Sequence, residues 1–478
     1  MRIRTMKFGG TSVGDGPAIR RAAQLIAQSV QEGAAVVAVV SAMSGVTDQL
    51  IRAARAAETG DHETFRAARL QLLTRHLQAI SDSVPDGERQ VIGEEVSALL
   101  DYLLRLCESV AILGELTTRG LDAVLALGER MSCRIVAGCL RGLGIEGAAL
   151  EATGLVVTDE QYGAANPLLE ETCNKTREVV LPLLEAGQVP VVTGFIGATE
   201  RGVTTTLGRG GSDFSASLIG ACLDSEEIWI WTDVDGVMTA DPRIVPSARS
   251  LPEISYVEAA ELAYFGAKVL HPKTMLPALG AKIPIRIKNT FNPDHRGTLI
   301  TADAAPAPQG VRGITAVRGL SLVTVEGHGM LGVPGIAAKV FSAVAREGIS
   351  VLMISQSSSE QNICFVVPEV SASTAIAALE AEFALERARQ DIDAIWAQDK
   401  VGVVAVVGAG MKGTPGIAAR VFRALGNSAI NVICIAQGSS EHNLSFVIDE
   451  ADIDEAVSAV HRECELSQQP EAEAERRP

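Results

Sequence analysis

Residues 406–416 read VVGAGMKGTPG and place the spacing Gly408-x-Gly410-x-x-Gly413 directly after an apolar run. This spacing is typical of the turn that holds a dinucleotide pyrophosphate, where a strand precedes the turn, a helix follows it and an acidic residue lies about 20 positions further on. Two interpretations compete for this part of the chain. Either it is a dinucleotide-binding unit, or the glycines shape a turn in another kind of α/β module.

An internal repeat helps to decide between them. Residues 325–341, VEGHGMLGVPGIAAKVF, match residues 406–422, VVGAGMKGTPGIAARVF, at a constant offset of 81 positions. Each copy predicts a strand, a Gly/Pro turn, a short helix, two further strands and a second helix. The predicted strands are 322–325, 351–354 and 363–367 in the first copy and 403–407, 432–435 and 444–448 in the second. The chain therefore carries two copies of one βαββα module.

The dinucleotide interpretation fails at the second strand of each copy. A dinucleotide-binding unit has its acidic ribose ligand there, whereas this chain has Gln356 and Gln437. Pro334 and Pro415 follow the turns, where a proline can enter the first turn of a helix at little cost. We therefore predict that the glycines of both copies are structural.

Composition limits the classes of partner and the cellular location that we expect for this protein. Hydrophobic residues make up 47% and charged residues 21% of the 478 residues, and the formal net charge is −17. Because no run of Lys or Arg offsets this acidity, we expect no nucleic-acid partner. The longest apolar stretch, residues 34–43, is about half as long as a membrane span, so we expect no membrane partner and a cytoplasmic location.

Eight cysteines are scattered through the chain without any C-x-x-C pair. This pattern argues against a zinc site or a disulfide framework and predicts reduced thiols that fill the core. They are Cys107, Cys133, Cys139, Cys173, Cys222, Cys364, Cys434 and Cys464.

Residues 1–303 are predicted to form a layered αβα domain with a largely parallel sheet, because strand-like runs alternate with helix-like segments. The clearest strand-like runs are 35–40, 189–193, 227–232 and 283–288. Between about residues 48 and 125 the pattern is helical, with Leu70, Leu73, Leu77 and Ile80 on one predicted packing face.

The segment ADAAPAPQG at 302–310 predicts a domain boundary, because Ala and Pro replace periodic sequence there. Module 1 then occupies residues 311–390 and module 2 residues 391–466, with an exchange of strands between them left open. The polar segment 467–478 is predicted to be a disordered tail.

Three glycine-rich clusters at predicted strand ends contain the candidate active-site residues. In the first, Lys7-Phe8-Gly9-Gly10, small residues let backbone N–H groups approach phosphate oxygens while Lys7 supplies a positive charge. It is no Walker motif, since G-x-x-x-x-G-K-[ST] occurs nowhere in the chain. A tight turn beside a solvated lysine is the structural alternative.

The second cluster, TTTLGRGGSDFS at 204–215, surrounds Arg209 with glycines and opens a helix at Ser212 or Asp213. Helix N-termini attract anions, Arg209 can bind a carboxylate through two parallel hydrogen bonds, and Asp213 can face an ammonium group. The pair suits an amino-acid zwitterion. A helix cap at Asp213 and a surface salt bridge at Arg209 form the alternative.

The third cluster, residues 230–243, runs from a strand into an acidic Gly/Pro loop. Thr232 and Asp233 lie at the strand end, where open α/β sheets bind ligands. A solvated turn is the alternative for Asp235 and Asp241.

Four motifs in this order, KFGGTS at 7–12, TTTLGRGGSD at 204–213, WTDVDGV at 231–237 and FGAKVLHP at 265–272, resemble the aspartate kinase family of the amino-acid kinase superfamily. Members of that family carry a pair of ACT domains, which the two modules resemble. The resemblance implies an amino-acid kinase fold followed by two βαββαβ ACT domains. No homoserine dehydrogenase region follows, so a monofunctional enzyme is expected.

The resemblance also implies a reaction: the γ-phosphoryl group of MgATP passes to the side-chain carboxylate of L-aspartate, giving 4-phospho-L-aspartate, the first step towards lysine, threonine and methionine. A carboxylate is already ionised at neutral pH, so the reaction needs positioning and charge neutralisation rather than a general base. No side chain is expected to bind Mg²⁺ directly, and Asp233 would either orient the lysine side chain or bind Mg²⁺ through water.

Residue roles are carried over by motif. The implied catalytic residues are Lys7, Arg209, Asp233 and Lys268. The implied aspartate-binding residues are Ser41, Thr47, Glu129, Arg209, Gly211, Ser212 and Asp213. The implied ATP-binding residues are Lys7, Phe8, Gly9, Gly10, Thr232, Asp233, Met238, Arg243, Lys268 and Val269. Met238 departs from the family pattern, since many members have tyrosine there.

The ACT pair implies an amino-acid effector at a remote site and a homodimer or larger homo-oligomer. Lysine-responsive relatives tend to have Thr-Thr-Ser in the loop after the second ACT strand, whereas this chain offers amide side chains there. We therefore favour threonine as the effector, with lysine as the alternative. The implied effector residues are Met330, Gly335, Ile336, Gln356, Asn362, Gln437 and Asn443.

Two alternative functions remain. A kinase acting on acetylglutamate or carbamate would share the fold, but Glu129 and the Arg209 cluster fit a free ammonium group better than an acylated one. A non-catalytic amino-acid sensor would keep the two modules but would have no use for Lys7, Lys268 and Asp233 together.

Overall fold

The structure is a computed structural model that describes residues 1–267, 270–305, 307, 310–357, 361–438 and 441–467. Most of the predicted tail and three positions of the predicted boundary, 306, 308 and 309, lie outside these ranges. The chain divides into two compact units. Within the described ranges, unit 1 holds residues 1–237, 252–256 and 270–304, and unit 2 holds residues 238–251, 257–267 and those from 305 onward.

Unit 1 contains eleven strands among its described residues: β1 (Ile3–Phe8), β2 (Ala35–Val40), β3 (Gly147–Leu150), β4 (Val157–Thr158), β5 (Val189–Thr193), β6 (Ile196–Thr199), β7 (Thr204–Thr206), β8 (Glu227–Thr232), β9 (Glu253–Ser255), β10 (Ile285–Asn289) and β11 (Thr298–Thr301). Eight of them form one sheet in the order β3-β5-β2-β1-β8-β10-β11-β9, and β4, β6 and β7 form a second. The run from β3 to β10 is parallel throughout. The predicted α/β domain with a largely parallel sheet is confirmed.

The helices of the kinase region are α1 (Gly16–Gln31), α2 (Val46–Glu58), α3 (His62–Ser83), α4 (Asp86–Leu113), α5 (Thr118–Gly142), α6 (Leu169–Glu185), α7 (Gly211–Cys222), α8 (Tyr256–Tyr264) and α9 (Pro272–Ala281). Helices α2 to α5 form the predicted helical section. None of the helices in the described part of the chain is long and apolar enough to span a membrane.

The predicted packing face of α3 is confirmed at Ile80, which is buried, and at Leu73, which is partly buried against the core, but it is wrong at Leu70 and Leu77. Leu70 is 61% exposed and Leu77 is 42% exposed, whereas Phe65, Leu72 and His76 are buried. Both stripes have helical spacing, so spacing alone does not decide which one faces the neighbouring helices. The buried stripe also carries alanines, whose small side chains allow close helix approach.

The prediction that every cysteine is reduced is also wrong. Cys173 on α6 and Cys222 at the end of α7 form a disulfide across 49 residues, with a Cα–Cα distance of 4.6 Å. The pairing arises because the fold places these helices side by side, which no local spacing reveals. The other six cysteines are free, and Cys107, Cys133, Cys139 and Cys464 are buried as predicted.

Unit 2 carries the two modules, with strands β12 (Gly313–Glu326), β13 (Met353–Gln356), β14 (Asn362–Pro368), β15 (Ala394–Val407), β16 (Cys434–Ala436) and β17 (Asn443–Asp449) and helices α10 (Ile336–Arg346), α11 (Ala372–Glu382), α12 (Ala384–Ala388), α13 (Ile417–Asn427) and α14 (Ile453–Glu463). The sheet order is β13-β14-β12-β15-β17-β16. Strands β12 and β15 pair along their length, with an irregularity between residues 317 and 322. The end of β12 pairs with β14 and the end of β15 with β17, so each long strand serves both repeats.

The glycines of the opening motif are structural, as predicted. A Cβ atom on Gly408 would lie 2.2 Å from the carbonyl oxygen of Gly310, so only glycine allows these two segments to come this close. In the first copy, a Cβ atom on Gly327 would lie 2.3 Å from the carbonyl oxygen of Asp391. Each turn therefore uses glycine to let another backbone segment approach.

We predict that the denatured, oxidised protein contains six titratable thiols and the denatured, reduced protein eight, because one pair of the eight cysteines is bonded. Thiol titration in denaturant, with and without prior reduction, measures both numbers. The Cys173→Ser variant should give seven under both conditions. Eight thiols in the oxidised wild type would contradict the pairing.

Candidate active site

The candidate site lies at one edge of the main sheet in unit 1. Parallel pairing aligns the carboxyl ends of β1, β2, β5 and β8, which are Phe8, Val40, Thr193 and Thr232. Ligands of open α/β sheets bind outside such ends. A cavity of about 630 Å³ opens there, and the loops after β1, β2, β5 and β7 line it.

All seven implied aspartate-binding residues line this single cavity, together with Lys7 and Gly10. They come from segments that are far apart in sequence. The seven are Ser41, Thr47, Glu129, Arg209, Gly211, Ser212 and Asp213. The fold therefore brings the implied aspartate-binding residues together with Lys7 and Gly10 of the first cluster.

An ion pair joins two of these segments. The Nζ atom of Lys7 lies 2.6 Å from the Oδ1 atom of Asp213, and the two side chains are 10% and 17% exposed. Gly9 lies beside the ammonium group, since a Cβ atom built on it would be in van der Waals contact with Nζ at 3.5 Å. The pair holds the Lys7 charge at the cavity wall.

Glu129 is a buried carboxylate with one free oxygen. Its Oε1 atom accepts a hydrogen bond from the Ala42 N–H at 3.1 Å, while Oε2 is buried and has no hydrogen-bond partner among the described residues. Burial raises the pKa of Glu129 from 4.5 to about 8. A cation that entered the cavity would supply the missing partner and favour the ionised form.

Arg209 belongs to a glycine loop that leads into α7. Gly210 caps the helix in a left-handed conformation with φ of 73°, so α7 begins at Gly211 and its first N–H groups lie beside the cavity. The Arg209 side chain is exposed, and its guanidinium group has no hydrogen-bond or ion-pair partner in the described parts of the chain. It is therefore available for an anion.

Of the implied ATP-binding residues that the structure describes, only Lys7 and Gly10 line the cavity. Phe8 is fully buried and stacks on Trp231 with ring centroids 6.1 Å apart, so only its backbone could contact a ligand. Thr232 donates a hydrogen bond to Asp233 at 3.2 Å, at the exposed end of β8. Gly9 donates its N–H to the Trp231 carbonyl oxygen at 3.2 Å, which ties the β1 turn to β8.

Four further implied residues lie outside unit 1 or outside the described residues. Lys268 and Val269 lie outside the described residues. Met238 and Arg243 belong to unit 2, where Met238 forms a β-bridge with Ser250 and Arg243 forms an ion pair with Asp241 at 2.5 Å. Within the described residues, no group of three or more His, Cys, Asp or Glu side chains could hold a metal ion.

The sequence analysis missed Asp122. It lies on α5, seven residues before Glu129, and therefore about two helical turns away on the same face. It lines the cavity and accepts hydrogen bonds from Gly163 and Thr206. Helical spacing from Glu129 is the one signal that would have revealed it.

The implied effector residues lie in unit 2. Gln356 ends β13 and Gln437 follows β16; both are exposed. The two strands meet where the Ser355 hydroxyl donates a hydrogen bond to the Ile435 carbonyl oxygen at 3.2 Å. The remaining residues are Met330, which is buried, Gly335 with φ of 95°, Ile336, which is partly buried, Asn362 at the start of β14, and Asn443, whose side-chain amide binds Glu261.

Comparison with known proteins identifies the family. The sequence pattern of the amino acid kinase family matches residues 3–289, and that of an ACT domain matches residues 323–383 and 404–464. The bifunctional aspartokinase/homoserine dehydrogenase of Haemophilus influenzae is 36% identical over 462 residues, which cover 96% of this chain and 56% of that protein. The chain spans about half the length of several curated relatives that it matches.

Two relatives match over almost their full length. The lysine-sensitive aspartokinase 3 of Escherichia coli is 33% identical over 461 residues, which cover 96% of this chain and 98% of that protein. A crystal structure of E. coli aspartokinase III in complex with aspartate and ADP has a TM-score of 0.78 and 30% identity, covering 97% of this chain and 99% of that chain. The chain therefore belongs to the amino acid kinase family and, within it, to the aspartokinases that carry ACT domains. The resemblance drawn from the four motifs is confirmed.

We predict that Glu129→Gln removes an alkaline loss of stability. Because the folded pKa of Glu129 is raised from 4.5 to about 8, the wild type loses stability as pH rises through that window, when the carboxyl ionises more readily in the unfolded chain. Melting temperatures at pH 5.5, 7 and 8.5 should therefore fall less in the variant. The exposed Glu170→Gln serves as the control and should follow the wild type. Parallel curves for Glu129→Gln and the wild type would contradict the assignment.

Proposed function

We propose that this chain is an aspartate kinase that transfers the γ-phosphoryl group of MgATP to the side-chain carboxylate of L-aspartate. The product would be 4-phospho-L-aspartate, which leads towards lysine, threonine and methionine. The relatives support the class of reaction, and the crystal structure of E. coli aspartokinase III contains aspartate and ADP. We expect the enzyme to act in the cytoplasm.

One observation carries the choice of substrate: the cavity offers a separate partner for each charge of a dicarboxylic amino acid. The free buried oxygen of Glu129 suits the α-ammonium group, and the unpaired Arg209 guanidinium suits the α-carboxylate. Lys7 remains for the side-chain carboxylate and the phosphoryl group that it attacks. An acetylated substrate would leave Glu129 without a cation, which disfavours an acetylglutamate kinase.

The reaction requires that two anions approach each other, so charge neutralisation dominates catalysis. Lys7 would neutralise the transferring phosphoryl group, and the turn at Gly9 and Gly10 would present backbone N–H groups to phosphate oxygens. Binding would require Lys7 to change partner from Asp213, which would leave Asp213 free to assist Glu129 at the substrate ammonium group. Mg²⁺, when bound with ATP, would offset the phosphate charge, and Asp233 at the exposed end of β8 would reach it through water.

We expect regulation by an amino acid that binds the ACT modules, with threonine as our first choice and lysine as the alternative. The exposed amides of Gln356 and Gln437 at the ends of β13 and β16 support a polar effector with a hydroxyl or carboxylate group. Lysine has its own support, since the E. coli relative is named as lysine-sensitive. We also propose a homodimer or larger homo-oligomer, because the adjacent strands β13 and β16 expose the apolar side chains Ile354 and Ile435.

The reaction is tested by incubating the protein with MgATP and L-aspartate and trapping the acyl phosphate with hydroxylamine. We predict that Lys7→Ala lowers turnover about 100-fold or more, because Lys7 stabilises charge in the transition state. The exposed Lys175→Ala on α6 is the matched control and should keep wild-type turnover. Trapping with acetylglutamate or carbamate instead of aspartate would favour another amino-acid kinase, and no turnover with any acceptor would favour a sensor. Near-native turnover of Lys7→Ala would contradict its role.

The effector is tested by initial rates at subsaturating aspartate with threonine, lysine or methionine. We predict that threonine inhibits the wild type and that Gln356→Ala and Gln437→Ala each shift the inhibition curve to higher threonine concentration, because each loses an amide that could hydrogen-bond the ligand. Gln361→Ala, on the same loop as Gln356, is the control and should resemble the wild type. Inhibition by lysine alone would identify the alternative effector, and equal threonine inhibition in all variants would exclude these glutamines as ligands.

A further inference from the structure

Asp122 on α5 is a buried carboxylate that the proposed reaction does not use directly. It is 1% exposed, although it lies in the cavity wall. Its Oδ2 atom accepts hydrogen bonds from the Gly163 N–H at 2.9 Å and the Thr206 N–H at 3.1 Å, and its Oδ1 atom accepts one from the Thr206 hydroxyl at 2.7 Å. Both oxygens are thus occupied by protein donors. Asp122 is therefore placed to hold protein segments and not to bind substrate.

The two segments that Asp122 contacts determine the path of residues 207–210, the loop that carries Arg209. Thr206 is the last residue of β7, and Leu207, Gly208 and Arg209 follow it directly. A Cβ atom on Gly208 would lie 3.3 Å from the Gly163 carbonyl oxygen, so the loop rests against the turn at residue 163. Asp122 therefore fixes the start of the loop through Thr206. Through Gly163 it also fixes the turn against which the loop packs.

The side chain of Arg209 has no fixing contacts of its own. Its guanidinium group is exposed and lacks a hydrogen-bond or ion-pair partner within the described residues. The position of this cation relative to Glu129 and Lys7 therefore depends on the backbone of residues 206–210. A shift of that backbone would therefore move this cation relative to Glu129.

We propose that Asp122 is a positioning residue that sets the place of Arg209 for the α-carboxylate of the amino-acid substrate. This inference rests on the proposed function, since it assigns the residue to aspartate binding. A buried carboxylate with three donors is a strong anchor, because removing one partner leaves buried donors unsatisfied. Asn at this position keeps the size of the side chain but loses the charge that strengthens the hydrogen bonds from the Gly163 and Thr206 N–H groups, and its amide nitrogen can only donate towards the Thr206 hydroxyl, which now donates to Oδ1.

The test compares steady-state kinetics of Asp122→Asn with those of Arg209→Ala, Thr206→Ser and Asp159→Asn. Asp159 is the matched control, because its carboxylate also organises residues 159–166, through hydrogen bonds to Gln161 and Asn166, but does not contact β7 in any described hydrogen bond. We expect Asp122→Asn to raise the aspartate KM about tenfold, with the ATP KM and kcat changed less than about threefold. Thr206→Ser, which keeps both donors, should retain near-native KM values, and Arg209→Ala should raise the aspartate KM at least as far as Asp122→Asn.

Each outcome has a separate meaning. If Asp122→Asn lowers the melting temperature but keeps the aspartate KM within twofold of the wild type, Asp122 is structural and the inference is overturned. The same holds if Asp159→Asn raises the aspartate KM equally, since any loosening of the loop would then suffice. If the wild type itself shows no aspartate-dependent turnover, the proposed function fails, and calorimetric titration of aspartate into the wild type and Asp122→Asn still tests whether Asp122 supports binding of this ligand.

Discussion

The ion pair between Lys7 and Asp213 is the interaction on which the candidate site depends. It joins the end of β1, the strand that pairs with both β2 and β8, to the first turn of α7. A pair this buried stabilises little in net terms, because desolvation opposes the attraction between the charges. Its effect is on position: if either partner were removed, the remaining charge would be left in the cavity wall without compensation.

The cavity wall carries three buried or half-buried carboxyl groups, and each has a different environment. Asp213 faces the ammonium group of Lys7, and Asp122 is surrounded by N–H and hydroxyl donors. Glu129 has one N–H donor and one oxygen without a partner among the described residues, and burial raises its pKa to about 8. Burial also raises the pKa of Asp122, although the hydrogen bonds from Thr206 and Gly163 oppose that effect. Only Glu129 therefore has both the space and the electrostatic need for a cationic ligand.

Much of this arrangement could be predicted from the sequence, because it depends on local patterns. Strands β2, β5 and β8 begin and end at the predicted residues, since each is a short apolar run bounded by turn residues. The first and third glycine clusters lie at the carboxyl ends of the parallel strands β1 and β8, and the second follows β7 of the smaller sheet. What sequence reasoning missed depends on contacts between distant segments: the Cys173–Cys222 bond, the buried face of α3, and the hydrogen bonds of Asp122 to a turn 41 and a strand 84 residues away.

The two ACT modules are not independent units of packing. Val311 and Ile314, at or just before the start of β12, lie in the core of the second repeat, while Val323 and Val325 from the end of the same strand lie in the core of the first. Ile392, just before β15, likewise packs in the first core, whereas Val404 and Val406 pack in the second. Each long strand crosses from one core to the other. A shift of β12 or β15 in one module therefore requires the core of the other module to repack. An effector that changed the packing of either module would therefore act on both, which gives the tandem a physical basis for responding as a single regulatory element.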